Sequence, residues 1–140
     1  MSLKLLLVED KPATRESLLA MLADTPFVVT CANDGLDGLN QAKANTFDVV
    51  LADHKMPLLD GLNLIRNLRS LSAYKHKPLL LMTTQDVQQI EEQARRSGAD
   101  LCLAKPIERE RLLELLADLW QTMQISMPPP TASDVRSAAS

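Results

Sequence analysis

The sequence predicts a doubly wound α/β domain: a five-stranded parallel sheet with five helices. Three observations carry that expectation. Short apolar runs alternate along the chain with longer stretches of helical periodicity. The runs are nearly continuous Leu and Val rather than alternating with polar residues, as in strands buried on both faces under helices. The chain of 140 residues, 46% hydrophobic and 24% charged, is long and apolar enough for one real core.

Each element follows from its local pattern. Leu5–Val8 reads as the first strand, and Arg15–Asp24 follows with Leu18, Leu19, Met21 and Leu22 on a helical face. Phe27–Cys31, apolar and β-branched, is a second strand. Gly35–Asn45 sets Leu36, Leu39 and Ala42 at helical spacing before a third strand at Val49–Ala52. Gly61–Leu71 carries Leu64, Ile65, Leu68 and Leu71 on one face, and Pro78 introduces a fourth strand at Leu79–Met82. Val87–Ser97 is a polar helix stopped by Gly98, with Gln88, Gln89, Glu91, Glu92, Arg95 and Arg96 on a solvated face. Leu101–Ala104 is the fifth strand. Ile107 to Trp120 is the last helix, with Leu112, Leu113, Leu116, Leu119 and Trp120 inward. Beyond it the composition shifts to Pro128-Pro129-Pro130 and small polar residues. The expected organisation is one domain over 1–122 and a flexible tail or linker start over 123–140.

Composition excludes several functions. Fifteen Lys and Arg against 18 Asp and Glu leave a net charge of −3, so no electrostatic nucleic-acid footprint is expected. Aromatics at 3% argue against base-stacking platforms. Cys31 and Cys102 are too few for a disulfide framework or a zinc site, and the strand order expected below sets them on opposite sheet edges. No apolar run approaches the roughly 20 residues that span a bilayer, and Leu3–Val8 runs into Glu9 and Asp10 without a cleavage site. A cytoplasmic protein is expected, with no membrane partner.

In doubly wound folds function sits beyond the carboxyl ends of the strands. Here those ends carry Glu9-Asp10, Asp53, Thr83-Thr84 and Lys105-Pro106. Singly each has a plain reading: Asp10 as a cap for the helix after Pro12, Thr83 as a strand-end hydroxyl, Lys105 as a surface lysine. Together they form a set that does not build cores. Clustered carboxylates favour a hard divalent cation such as Mg2+, which prefers a few carboxylates plus water. Lys105 and the Thr83 hydroxyl suit phosphoryl oxygens. Without a glycine-rich phosphate cradle, what remains is a carboxylate that accepts a phosphoryl group from elsewhere. His54 follows Asp53 in the strand, so it is expected to face away from the site.

The residues that carry a family resemblance are Val8-Glu9-Asp10, Leu51 to Gly61 with its Asp53-x-x-Met56-Pro57-x-x-Asp60-Gly61 spacing, Leu81-Met82-Thr83-Thr84 and Lys105-Pro106. From about Lys4 to Trp120 the sequence resembles a response-regulator receiver domain of two-component signal transduction. Tyr74-Lys75-His76-Lys77-Pro78 looks most like chemotaxis regulators of the CheY type. The resemblance implies a flavodoxin-like strand order of 2-1-3-4-5 and a bacterial phosphorelay role. It implies that Asp53 is the phosphoacceptor and that Mg2+ is held by Glu9, Asp10, Asp53 and the backbone carbonyl of Lys55. In that pattern Asp10 is the direct ligand, with Glu9 acting through water. Thr83 matches the switch hydroxyl, Lys105 the phosphate-pairing lysine, and the Lys105-Pro106 bond a cis peptide.

The sequence departs from that pattern in places. Cys102 stands where an aromatic switch partner is usual, Ile107 where Phe is common, and Thr84 where a small residue leaves phosphoryl access open. The implied phosphodonor is a histidine kinase or phosphotransfer protein. The implied reader is a downstream protein or an attached output domain, served by the surface of the fourth and fifth helices. Such receivers also pair as dimers through the fourth helix, fifth strand and fifth helix. A second reading is a receiver module of a larger hybrid kinase or multidomain regulator. A third class, an Mg2+-dependent phosphatase with an Asp nucleophile, expects an acid two positions after Asp53, where this chain has Lys55. Separate enzymatic turnover is therefore not expected.

Overall fold

The computed structural model describes residues 3–126, with side chains to residue 122. The elements run in chain order as β1 (Leu3–Val8), α1 (Pro12–Leu22), β2 (Phe27–Ala32), α2 (Gly35–Ala44), β3 (Val49–Asp53), α3 (Gly61–Arg69), a 3₁₀ turn at Ser72–Tyr74, β4 (Leu79–Thr83), α4 (Val87–Ser97), β5 (Leu101–Ala104) and α5 (Arg109–Ser126). The chain divides into two compact units at Arg109/Glu110. In the second unit α5 buries Leu112, Leu115 and Leu116, while Leu113, Leu119 and Trp120 are half-buried. The helix continues to Ser126, four residues into the segment expected as tail, and the rest of that segment lies outside the described residues.

The sheet is parallel throughout, in the order β2-β1-β3-β4-β5. The chain steps one way from β1 to β2 and the other way thereafter. Right-handed crossovers then put α1 on the opposite face from α2, α3 and α4. Strand parity sorts the side chains accordingly. Leu6, Val8, Val50, Ala52, Leu79 and Leu81 pack with Ala42, Leu64, Ile65, Leu68, Ile90 and Ala94 of the three helices. The central strands are buried on both faces, as their unbroken apolar runs predict. The edge strands are not: Val28 on β2 is 54% exposed and Leu101 on β5 is 38% exposed. An edge strand has a neighbour on one side only, so its flank stays wet whatever its hydropathy.

Helix ends follow local chemistry. Asp34, Asp60 and Asp86 cap α2, α3 and α4, each accepting from a backbone N–H of the first turn. Helix α1 starts at Pro12, three residues before its apolar periodicity, because proline fits the first helical turn. Gly98 ends α4 at φ 110°, a left-handed conformation suited to glycine.

Polar braces lock the amino ends of the strands. The buried Tyr74 hydroxyl donates to Ala42 O at 2.7 Å, with Asn45 O at 2.9 Å, and accepts from the Phe47 N–H at 3.1 Å. Arg69 donates to Gly98 O, to Tyr74 O at 2.9 Å and Lys77 O at 3.0 Å, and pairs with Asp100 at 2.9 Å. Asp100 also accepts from the Leu79 N–H at 2.8 Å. Tyr74→Phe leaves the Phe47 N–H and two carbonyls short of a partner beside the core. It is expected to lower unfolding free energy by about 2 kcal/mol in urea titrations, with the slope unchanged.

Candidate functional site

The carboxyl ends of four strands converge as expected: β1 runs into Glu9 and Asp10, β3 ends on Asp53, β4 on Thr83, and β5 leads to Lys105. Lys105 Nζ donates to Glu9 Oε1 and to Asp53 Oδ1, each at 3.0 Å, bridging residues 96 and 52 positions away. Its backbone N–H donates to Thr83 O at 2.8 Å, continuing the β4–β5 ladder past the strand end. The Lys105-Pro106 bond is cis. Glu9, wholly buried, completes its other oxygen with the Lys11 N–H at 3.2 Å. Glu9, Asp10 and Asp53 offer ligand atoms within 4.8 Å of one another.

Electrostatics follow from crowding. Burial pushes the Glu9 carboxyl up; the Lys105 hydrogen bond opposes this, the Asp53 charge adds to it, and the net shift is upward. Burial works against the Lys105 charge, but hydrogen bonds and attraction from Asp53 and Glu9 overcome it and hold the ammonium more firmly than usual. Two oxygens in the cluster, Asp10 Oδ1 and Asp53 Oδ2, are buried without a hydrogen-bond partner. Asp10 does not cap α1: Lys11 holds that position, without a side-chain cap. Open carboxylate oxygens beside a satisfied Glu9 fit a hard divalent cation that takes oxygen ligands.

The loop after β3 is set by close approach. The Gly61 N–H donates to His54 O at 2.8 Å, and a Cβ there would lie 2.2 Å from Asp53 O. Any side chain would displace the Asp53 backbone. In the same loop Leu58 sits at φ 71°, a strained setting for leucine, and is 75% exposed. Lys55 is exposed, two residues past Asp53. Beside the carboxylates lies a groove of about 450 Å³ whose walls include Lys11, Thr14, Met21, Thr84, Lys105 and Ile107.

His54 faces away from Asp53, as strand parity predicts, and on that face it meets Thr83, a contact the sequence reading did not include. The Thr83 hydroxyl lies 2.8 Å from His54 Nδ1 and accepts from the Gln85 N–H at 3.0 Å. Burial, with the nearby Lys55 charge, pushes the imidazole below its ordinary value against the opposing pull of Asp60 and Asp53. Which atom donates follows the tautomer. The missed signal lies in the register. Asp53 pairs with Met82, so the next positions, His54 and Thr83, are neighbours on one face. Cys31 and Cys102, on opposite edge strands, are half-buried free thiols, and burial raises both above the ordinary thiol value. Among the described residues no helix is long and apolar enough to cross a membrane.

Fold and site together define a class. Residues 5–117 match the response regulator receiver domain, and the chain belongs to that family. It is similar to the sensor histidine kinase RcsC of Salmonella typhi, 34% identical over 113 residues, covering 81% of this chain and 12% of that protein. The chain thus spans about an eighth of that relative. Its fold is similar to the chemotaxis response regulator CheY4 of Vibrio cholerae, with TM-score 0.80 and 31% identity over 85% of this chain and 99% of that one. It is also similar to the receiver domain of sensor histidine kinase PA1611 from Pseudomonas aeruginosa PAO1, with TM-score 0.77 and 30% identity over 84% and 97% of the two chains. That structure has a magnesium ion coordinated in its active-site cleft. Receiver domains take a phosphoryl group from histidine kinases and act on output domains.

Lys105→Met removes the cation shared by two buried carboxylates and is expected to lower stability by about 3 kcal/mol. Adding Glu9→Gln should recover part of that loss. Denaturation of the single and double variants measures both; equal stability of Lys105→Met and the wild type would refute the bridge's importance.

Proposed function

We propose that Asp53 accepts a phosphoryl group from the phosphohistidine of a kinase or phosphotransfer protein, with Mg2+ held by Asp10, Asp53, the Lys55 carbonyl and, through water, Glu9. The observation that carries this reading is the pair of buried, unpartnered oxygens, Asp10 Oδ1 and Asp53 Oδ2, beside the Lys105 ammonium. Glu9, its oxygens already occupied by Lys105 and Lys11, suits an indirect role. When bound, Mg2+ would supply charge neutralisation between the carboxylates and the incoming phosphoryl oxygens.

The chain's own groups do the rest. An Asp53 carboxylate oxygen attacks phosphorus; the new P–O bond forms as the P–N bond breaks, and the imidazole leaves with that electron pair. Lys105 turns from Asp53 Oδ1 to a phosphoryl oxygen. The Thr83 hydroxyl then donates to another, and the β4–α4 loop and the α4 surface change with it. The donor approaches along the groove between α1 and Lys105. Output lies with a downstream protein or an attached domain, and pairing of two copies through α4, β5 and α5 belongs to the same reading.

Incubation with acetyl phosphate and Mg2+ should add one phosphoryl mass to the intact chain. Asp53→Ala or chelation of Mg2+ should abolish the gain. An undiminished gain in Asp53→Ala would overturn the acceptor assignment.

Thr84, exposed on the groove wall beside Lys105, is expected to hinder access, and the Lys55 charge to influence hydrolysis. Thr84→Ala should raise the rates of phosphoryl gain and loss several-fold, on the order of 1 kcal/mol of barrier, and Lys55→Asn should alter the rate of loss. Unchanged kinetics in both variants would remove these residues from the mechanism.

A further inference from the structure

We propose that His54 is a positioning residue for the switch: its buried imidazole holds the Thr83 hydroxyl away from Asp53, so that the hydroxyl must leave His54 to meet a phosphoryl group. This deepens the receiver reading and rests on the roles proposed for Asp53 and Thr83.

His54 is 3% exposed and Thr83 is 1% exposed, and their polar atoms meet at 2.8 Å. A threonine hydroxyl has one proton and two acceptor sites. The Gln85 N–H takes one acceptor site, and His54 Nδ1 takes the proton or the other site. Asp53 Oδ2 meanwhile lacks a partner, so the hydroxyl is committed elsewhere.

His54 has little freedom to follow a moving hydroxyl. Its backbone is fixed on both sides: its N–H donates to Met82 O and its carbonyl accepts from the Gly61 N–H, both at 2.8 Å. Threonine is stiff at χ1, so its hydroxyl moves by a rotamer hop, not by drifting. After that hop a buried ring nitrogen is left without Thr83, which opposes the switched state. The hop also frees the Gln85 N–H at the start of the β4–α4 loop. One short polar chain thus links the end of β3 to the segment leading into α4.

The test uses beryllofluoride with Mg2+ as the phosphoryl stand-in. His54→Leu should tighten its binding about fivefold, the weight of one neutral hydrogen bond. His54→Asn, which keeps a polar atom near the place of Nδ1, should stay close to the wild type. In a Thr83→Val background His54→Leu should add nothing, the signature of action through Thr83. Unchanged affinity in His54→Leu, or the same gain without the hydroxyl, would overturn the proposal. Wild-type protein gives a second measurement that survives any folding defect. The chain has two histidines, so the His54 ring-nitrogen NMR signals can be assigned against His76. The Nδ1 resonance should shift when beryllofluoride saturates the site, and a resonance that stays put would refute the hop. If the wild type takes neither beryllofluoride nor phosphoryl mass, the receiver reading of Asp53 fails and this inference falls with it. Normal phosphorylation with no His54 effect removes the inference alone.

Discussion

The ammonium of Lys105 is the constraint around which the carboxyl edge of the sheet is organised. It lies 3.0 Å from both Glu9 and Asp53, which would otherwise repel each other at a buried edge. No local preference brings these three together. They come from β1, β3 and the end of β5, and only the order β2-β1-β3-β4-β5 with parallel registers makes them neighbours. The site is thus a product of topology, and the apolar runs that hold the strands in register determine its geometry.

The two ends of the sheet are built on opposite rules. At the amino ends every brace is satisfied: Tyr74 serves two carbonyls and an N–H, Asp100 serves Arg69 and Leu79, and Asp48 accepts from the Lys4 N–H at 2.8 Å. At the carboxyl ends Asp10 and Asp53 keep unpartnered oxygens, and Leu58 sits in a left-handed conformation. Unsatisfied polar groups and strain at one edge are tolerable because the other edge and the core are fully knit. Chemistry gathers where the fold leaves interactions open.

Most of this was legible in the sequence, for identifiable reasons. Central strands announce themselves as unbroken apolar runs, and α4 is ended by Gly98. The carboxylates, Thr83 and Lys105 are legible because each ends a strand or closely follows one. What was hidden depended on neighbours that no single segment contains. Val28 and Leu101 look as buried as any strand residue until their strands prove to be edges. Leu36 sits at helical spacing yet is 45% exposed, because the α2 contact face runs instead through Gly35, Gly38 and Ala42. Strand parity places His54 on the face away from Asp53, as found, but its contact with Thr83 is decided by the register between β3 and β4, which no single segment contains.

That register also bears on how a signal can leave the site. The family resemblance expects an aromatic at the position of Cys102, whose rotation would accompany the switch hydroxyl. Here Cys102 is a small half-buried residue paired in register with Leu81 and packed against the core. A cysteine has no ring to swing and cannot report the Thr83 rotamer through a change of shape. The polar chain from His54 through the Thr83 hydroxyl to the Gln85 N–H runs instead from β3 directly to the approach of α4. Its links are short, and the rotamer hop proposed for Thr83 would break them as a unit, giving the hydroxyl two discrete settings and not a continuum. Bistability of that kind is what a switch requires, and under the role proposed for Thr83 hydrogen bonds supply what an aromatic side chain's packing would otherwise provide.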